Sequence, residues 1–180
     1  AVRHSGGGLR YVKALGLLRI DSLTVALPAH RWRLLQPVEV ALRDSSASVT
    51  RLALDAEDGS GEIRIEGQTP GLGNGDLTVD VRGLDLRDLY GVLQRDTTRV
   101  SGSVAVNLHV GGTRRAPTFR GTAALSDASF GDSRAPFVQS VVDYADRRLE
   151  LNLLFWRTGR RILRLEARLP VDLALLPLPD

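Results

Sequence analysis

The chain has 180 residues, 43% of them apolar, and balances 24 Lys or Arg against 21 Asp or Glu for a formal net charge of +3. With no cysteine it can hold no disulfide, zinc ribbon or thiol nucleophile. A mean hydropathy of -0.07 and the lack of any apolar run near ~18 residues exclude both a membrane-spanning helix and a disordered chain. Lys13 is the single lysine, and acids are interleaved among the arginines, so the charge reads as a solvated, salt-bridged surface. The pairs Arg114-Arg115, Arg147-Arg148 and Arg160-Arg161 are too short and scattered for a nucleic-acid stripe. Contact with anionic lipid head groups is the weaker alternative they leave open. No Met stands at position 1 and no signal peptide is evident, so the chain is expected to be a piece of a longer protein, one β-rich unit over 1–180.

In chain order, Ser5-Gly6-Gly7-Gly8 reads as a flexible start. Alternating apolar positions then mark extended segments at Leu23, Val25, Leu27; at Val38, Val40, Leu42; at Thr50, Leu52, Leu54; and at Ile63, Ile65. Pro28 and Pro37 bound the segment around Trp32, since proline donates nothing to a strand ladder. Glu57 to Gly61 is a hairpin turn in which Asp-Gly supplies positive φ. The glycine cluster Gly71 to Gly75 is a second turn; it feeds the strand Leu77, Val79, Val81 rather than a helix, which removes the phosphate-loop reading. Between 85 and 94 the period changes. Leu86, Leu89, Val92 and Leu93 fall on one helical face, Asp85 caps the first turn, and Asp88 sits where an acid favours a helix N-terminus.

The clearest strand pair follows: Val104, Val106, Leu108 and Val110, a Gly-Gly-Thr turn, and a second run through Leu125 to Phe130. Phe137 to Tyr144 is too mixed to assign and admits a helical turn. Leu149, Leu151, Leu153, Phe155 and Leu163, Leu165, Ala167, Leu169 are strands joined by a turn at Arg157 to Arg160. Pro170, Pro177 and Pro179 punctuate a tail that looks cut within an element. Ten to twelve strands against one short helix make the fold all-β. A sheet of twelve strands is roughly 55 Å across, far more than a ~15 Å helix covers. The sheet therefore either closes on itself as a sandwich or barrel, or curves into an open trough with an apolar lining.

Catalytic patterns are missing. His4, His30 and His109 belong to no metal-ligand or Ser/His/Asp spacing, and His109 alternates with Leu108 and Val110, so it points to the polar face. Asp55, Glu57 and Asp58 lack the spacing of a calcium loop and fit the turn; Asp85 and Asp88 fit helix capping. No metal, cofactor or enzyme activity is expected. Trp32 and Trp156 read as core or rim fillers before interfacial anchors, and Phe155 and Trp156 make both sides of their strand partly apolar.

One set of segments resembles a known family. Arg31-Trp32-Arg33-Leu34 followed by Pro37-Val38-Glu39-Val40, then Gly61 to Gly67, Gly83-Leu84-Asp85-Leu86, Val100-Ser101-Gly102, Gly112-Thr113, Ala116-Pro117 to Gly121, and Asp143 to Leu149 are similar in order and spacing to the TamB (translocation and assembly module) family of AsmA-like proteins. The resemblance implies a long curved β-sheet forming a taco-like hydrophobic groove. It also implies a periplasmic protein of a bacterium with an outer membrane, anchored in the inner membrane, that moves phospholipids between membranes and works with an outer-membrane barrel partner. On this reading phospholipid acyl chains are the partner, nucleic acid is not, and the groove lining is Leu52, Leu54, Ile63, Ile65, Leu77, Val79, Val81, Val104, Val106, Leu108, Val110, Leu125, Leu151, Leu153 and Leu163. The alternatives are a scaffold or chaperone for outer-membrane proteins that pairs through an edge strand, and a closed β-sandwich spacer.

Overall fold

The computed structural model describes residues 3–12, 16–43, 46–93 and 99–174. Thirteen strands form one sheet: β1 (Arg3–Val12), β2 (Leu17–Ala26), β3 (Arg31–Leu34), β4 (Val38–Arg43), β5 (Ser46–Ala56), β6 (Glu62–Gln68), β7 (Gly75–Asp85), β8 (Val100–Gly112), β9 (Pro117–Phe130), β10 (Ser133–Arg134), β11 (Phe137–Ala145), β12 (Arg148–Arg157) and β13 (Arg160–Pro170). Among the described residues the one helix is α1 (Leu86–Val92), between β7 and β8. Every pairing is antiparallel, and the sheet order β1-β2-β3-β5-β6-β7-β8-β9-β11-β12-β13 follows the chain. β3 and β4 both lie between β2 and β5, so they are one strand position broken at Leu35-Gln36-Pro37. The eleven positions of that order span ~48 Å at ~4.8 Å per spacing.

Two sequence expectations change here. Ser5 to Gly8 is part of β1, paired with Ser22 to Val25. A glycine run has no side-chain period to read, yet its amides and carbonyls still complete a ladder. Phe137 to Tyr144 is strand β11 and not a helical turn: it is held on both sides, by β9 and by β12. The hairpin turns at 57–61, 71–75 and 157–160 are where the sequence put them. The residues 175–180, with Pro177 and Pro179, lie outside the described residues, as do the side chains around His4.

The strand ends form two rims. Nearly complete burial occurs beside them and at the β3–β4 break rather than across the middle of the sheet. At the helix rim Trp32, Ala56 and Leu86 are 2–4% exposed; at the break Leu34 and Val38 are 7% and 1%; at the far rim Val110 and Tyr144 are 8% and 1%. There the segment after β13 folds back: the Leu173 amide donates to the Tyr144 hydroxyl at 2.9 Å, and the Phe119 and Tyr144 rings stand 5.5 Å apart. The chain exposes 12009 Å², whereas a compact monomer of its 19.6 kDa exposes about 8,600 Å². The excess is what an extended sheet leaves open.

Candidate functional site

Cross-strand partners in an antiparallel sheet point to the same face, so the register decides which side chains share a surface. Leu34 pairs with Leu54; Leu54 and Leu52 with Ile63 and Ile65; these with Val81 and Val79. The row continues through Val106 and Leu108, then Ala123 and Gly121, then Ser140 and Val142, then Leu153 and Leu151, to Leu165 and Ala167. All fifteen residues of the expected lining fall on this one face. Three one-residue bulges keep it so: after Val49, after Val81 and after Ser101 the two strands advance by unequal steps, and the apolar residues return to the same side. Without them half of each strand would turn its aliphatic residues to the opposite surface.

The face is half-buried along most of its width. Among the fifteen, Val110 is buried at 8% and Leu163, on edge strand β13, is 52% exposed; the rest are intermediate. A meshed second layer would bury most of them, as protein interiors are close-packed. Gly121, Ala123 and Ser140 give the face a low floor across β9 and β11. Apart from Tyr144 none of these rows carries an ionisable group.

The opposite face holds the charge. Arg64 pairs with Asp55 at 2.6 Å and Glu62 at 3.2 Å, Arg82 with Asp80 at 2.9 Å, Arg120 with Asp143 at 3.1 Å and Arg168 with Glu150 at 3.4 Å. This is the salt-bridged surface the interleaved sequence predicts. His109 stands there, exposed, 3.6 Å from Asp76. Trp156 is on this face also, paired with Phe137, while Phe155 lies on the apolar one.

Helix α1 covers the apolar face at one rim. Asp85 is its N-cap, accepting from the Arg87 amide at 2.7 Å. Burial pulls the Asp85 carboxyl upward, but the Arg87 side-chain and amide hydrogen bonds and the Arg87 charge outweigh it and hold the group below the usual carboxylate range. Asp88 stands in the first turn of the helix, as expected, but its carboxylate is not turned to solvent. It is fully buried and reaches across to the β2–β3 turn, accepting from the Ala29 amide at 2.6 Å, the His30 amide at 3.3 Å, His30 Nδ1 at 2.9 Å and Trp32 Nε1 at 3.1 Å. The helix stripe shifts accordingly: Leu86, Asp88 and Gly91 are buried, while Val92 and Leu93 are 57% and 58% exposed. The rings of Tyr90 and Phe130 are 6.5 Å apart, tying α1 to the end of β9.

His30 therefore has a role that its isolation in sequence hid: its other nitrogen lies 3.5 Å from Asp58. The signal available was the i, i+3 step from Asp88 to Gly91, a polar and a minimal residue on a helix face too short for solvent exposure all round. The nearby Ser60 hydroxyl donates to Asp58 at 2.6 Å. No cluster of metal-ligating side chains occurs among the described residues. Protein-family models, curated proteins and solved structures contain no match to this chain.

Proposed function

We propose that the apolar face lines a groove for phospholipid acyl chains, and that this chain is a periplasmic section of a TamB-like bridge protein carrying lipid between inner and outer membrane. What carries the reading is the continuous row from β3 to β13, aliphatic but for Gly121 and Ser140, left half-buried in a molecule with far more surface than a compact body. Removing a methylene from water is worth ~0.8 kcal/mol, so a sixteen-carbon chain gains on the order of 13 kcal/mol. The lining has no head-group anchor, and the gain is nearly even along it. A lipid held this way slides; no catalysis is assigned to the face.

Photocrosslinking residues at Val106 and Leu151 in cells test the proposal. Capture of phospholipid at both is expected; capture of neither, with the protein folded, rejects it. A second reading, a scaffold for outer-membrane proteins, draws on β13, the outermost strand, where Ile162, Leu165 and Leu169 are 47–56% exposed beside an unpaired ladder. Protection of an unfolded barrel protein without lipid extraction favours that reading over the first.

A further inference from the structure

The helix rim carries a second feature, separate from whatever fills the apolar face. Seven arginines of described side chain have no acidic partner: Arg33, Arg115, Arg134, Arg148, Arg157, Arg160 and Arg161. Four of them stand together in the β10 strand and the β12–β13 turn, both at the helix rim. Beside them are two exposed apolar side chains, Phe137 at 36% and Ile162 at 56%. Phe137 and Ile162 flank the turn directly, since Phe137 pairs with Trp156 and Arg157 with Arg160. Of the two acids in this stretch, Asp132 is taken by Arg99 at 3.4 Å, and Asp127, exposed on β9, forms no ion pair with these arginines.

We propose that this corner of the helix rim is a contact for an anionic phospholipid bilayer surface, with the arginines on head groups and Phe137 and Ile162 at the acyl boundary. Free cations interleaved with apolar tips are the composition of an interfacial membrane contact. A nucleic acid would meet the arginines but leave the phenylalanine and isoleucine in water. Guanidinium groups suit phosphate because they bond it in a fork.

The test is flotation of the purified chain with phosphatidylcholine vesicles, with and without phosphatidylglycerol. Binding only to the anionic vesicles, weakened by salt, is expected. At about fivefold per arginine, the Arg157→Ser, Arg160→Ser, Arg161→Ser variant loses on the order of 100-fold in partition coefficient. A Phe137→Ser, Ile162→Ser variant loses binding while keeping the salt dependence of what remains. A control with Arg33→Ser and Arg115→Ser, equally unpaired arginines elsewhere, stays within twofold of the parent. Equal binding to neutral vesicles, equal loss in the control, or binding indifferent to Phe137 and Ile162 overturns the proposal; the last marks a general polyanion site instead. All five positions with side chains changed at the rim are exposed, and circular dichroism verifies that each variant keeps its strand signal.

Discussion

A carboxylate with no exposure survives in a protein interior only when its oxygens are filled with donors, and Asp88 has four within 2.6–3.3 Å. Truncation removes the acceptor but leaves the donors in place, Trp32 Nε1 and the Ala29 amide among them. Asp88→Ala is therefore expected to cost roughly 3 kcal/mol, the sum of about two stranded buried donors. Asp88→Asn, which keeps one acceptor but points an amide hydrogen at a nest of donors, falls between. Urea unfolding followed through tryptophan fluorescence measures both. Asp85 acts on pH. Its folded carboxyl lies below the ordinary value, so its contribution to α1 is fully present above about pH 4 and is lost as pH falls through the depressed folded value. Exchange of the Arg87 amide reads this directly: protection is expected to be constant at mildly acidic pH and to collapse only in stronger acid, and Asp85→Asn removes the dependence.

At the scale of elements, α1 is short for an independent helix, and its position depends on a close fit to the β2–β3 turn. A methyl group added at Gly91 would stand 2.5 Å from the Pro28 ring. Gly91→Ala is expected to cost about 1–3 kcal/mol by forcing the helix off that turn, whereas Gly73→Ala, with nothing within 4 Å of its new methyl, is expected to be neutral or stabilising by up to about 1 kcal/mol. Thermal unfolding of the two variants separates them. On the strands, Val106→Glu and Leu108→Arg are expected to lower stability by about 1–2 kcal/mol at most, because both sites are only half-buried, and to abolish capture of lipid by a crosslinker at Leu151. Loss of folding in both would mean a covered interior, where an unpaired charge costs several kcal/mol.

Strand β8 was legible because Val104, Val106, Leu108 and Val110 fall on alternate positions, as was the first half of β12 through Leu149, Leu151 and Leu153. β11 was not, since Ser140 stands on the apolar side and Val141, 50% exposed, on the polar side; its state follows from pairing with β9 and β12, which no local pattern records. The bulges were equally silent, as was the type I′ geometry at Asp146 and Arg147, with φ of 51° and 60° in place of the usual Asn-Gly. That the aliphatic residues of these strands share one face was readable from their alternation. The helix anchor was not, because Asp88 draws its partners from a turn more than fifty positions earlier.

For the whole molecule, the order of strands in space repeats their order in the chain, so each contacts chiefly the strands beside it. Such a body behaves as a linear array of neighbouring interfaces rather than one cooperative core. The exception is the block tied by Asp88, which links the β2–β3 turn to the β7–β8 connection across β5 and β6. Native-state hydrogen exchange is expected to be slowest in β5, β6 and β7 and fastest in β13, whose residues are exposed but for Ala167. Uniform protection across the sheet would contradict a linear array.

The sequential, all-antiparallel order also governs how such a molecule changes in length. Each two-strand unit meets its predecessor through the same kind of ladder and presents its aliphatic side chains to the same surface, so insertion of one more unit extends the lining by about 9.6 Å and disturbs nothing beyond its two flanks. Reach thus becomes a matter of counting hairpins. A protein on this plan can be fitted to a gap of any width by duplication of short segments, without the redesign of an interior.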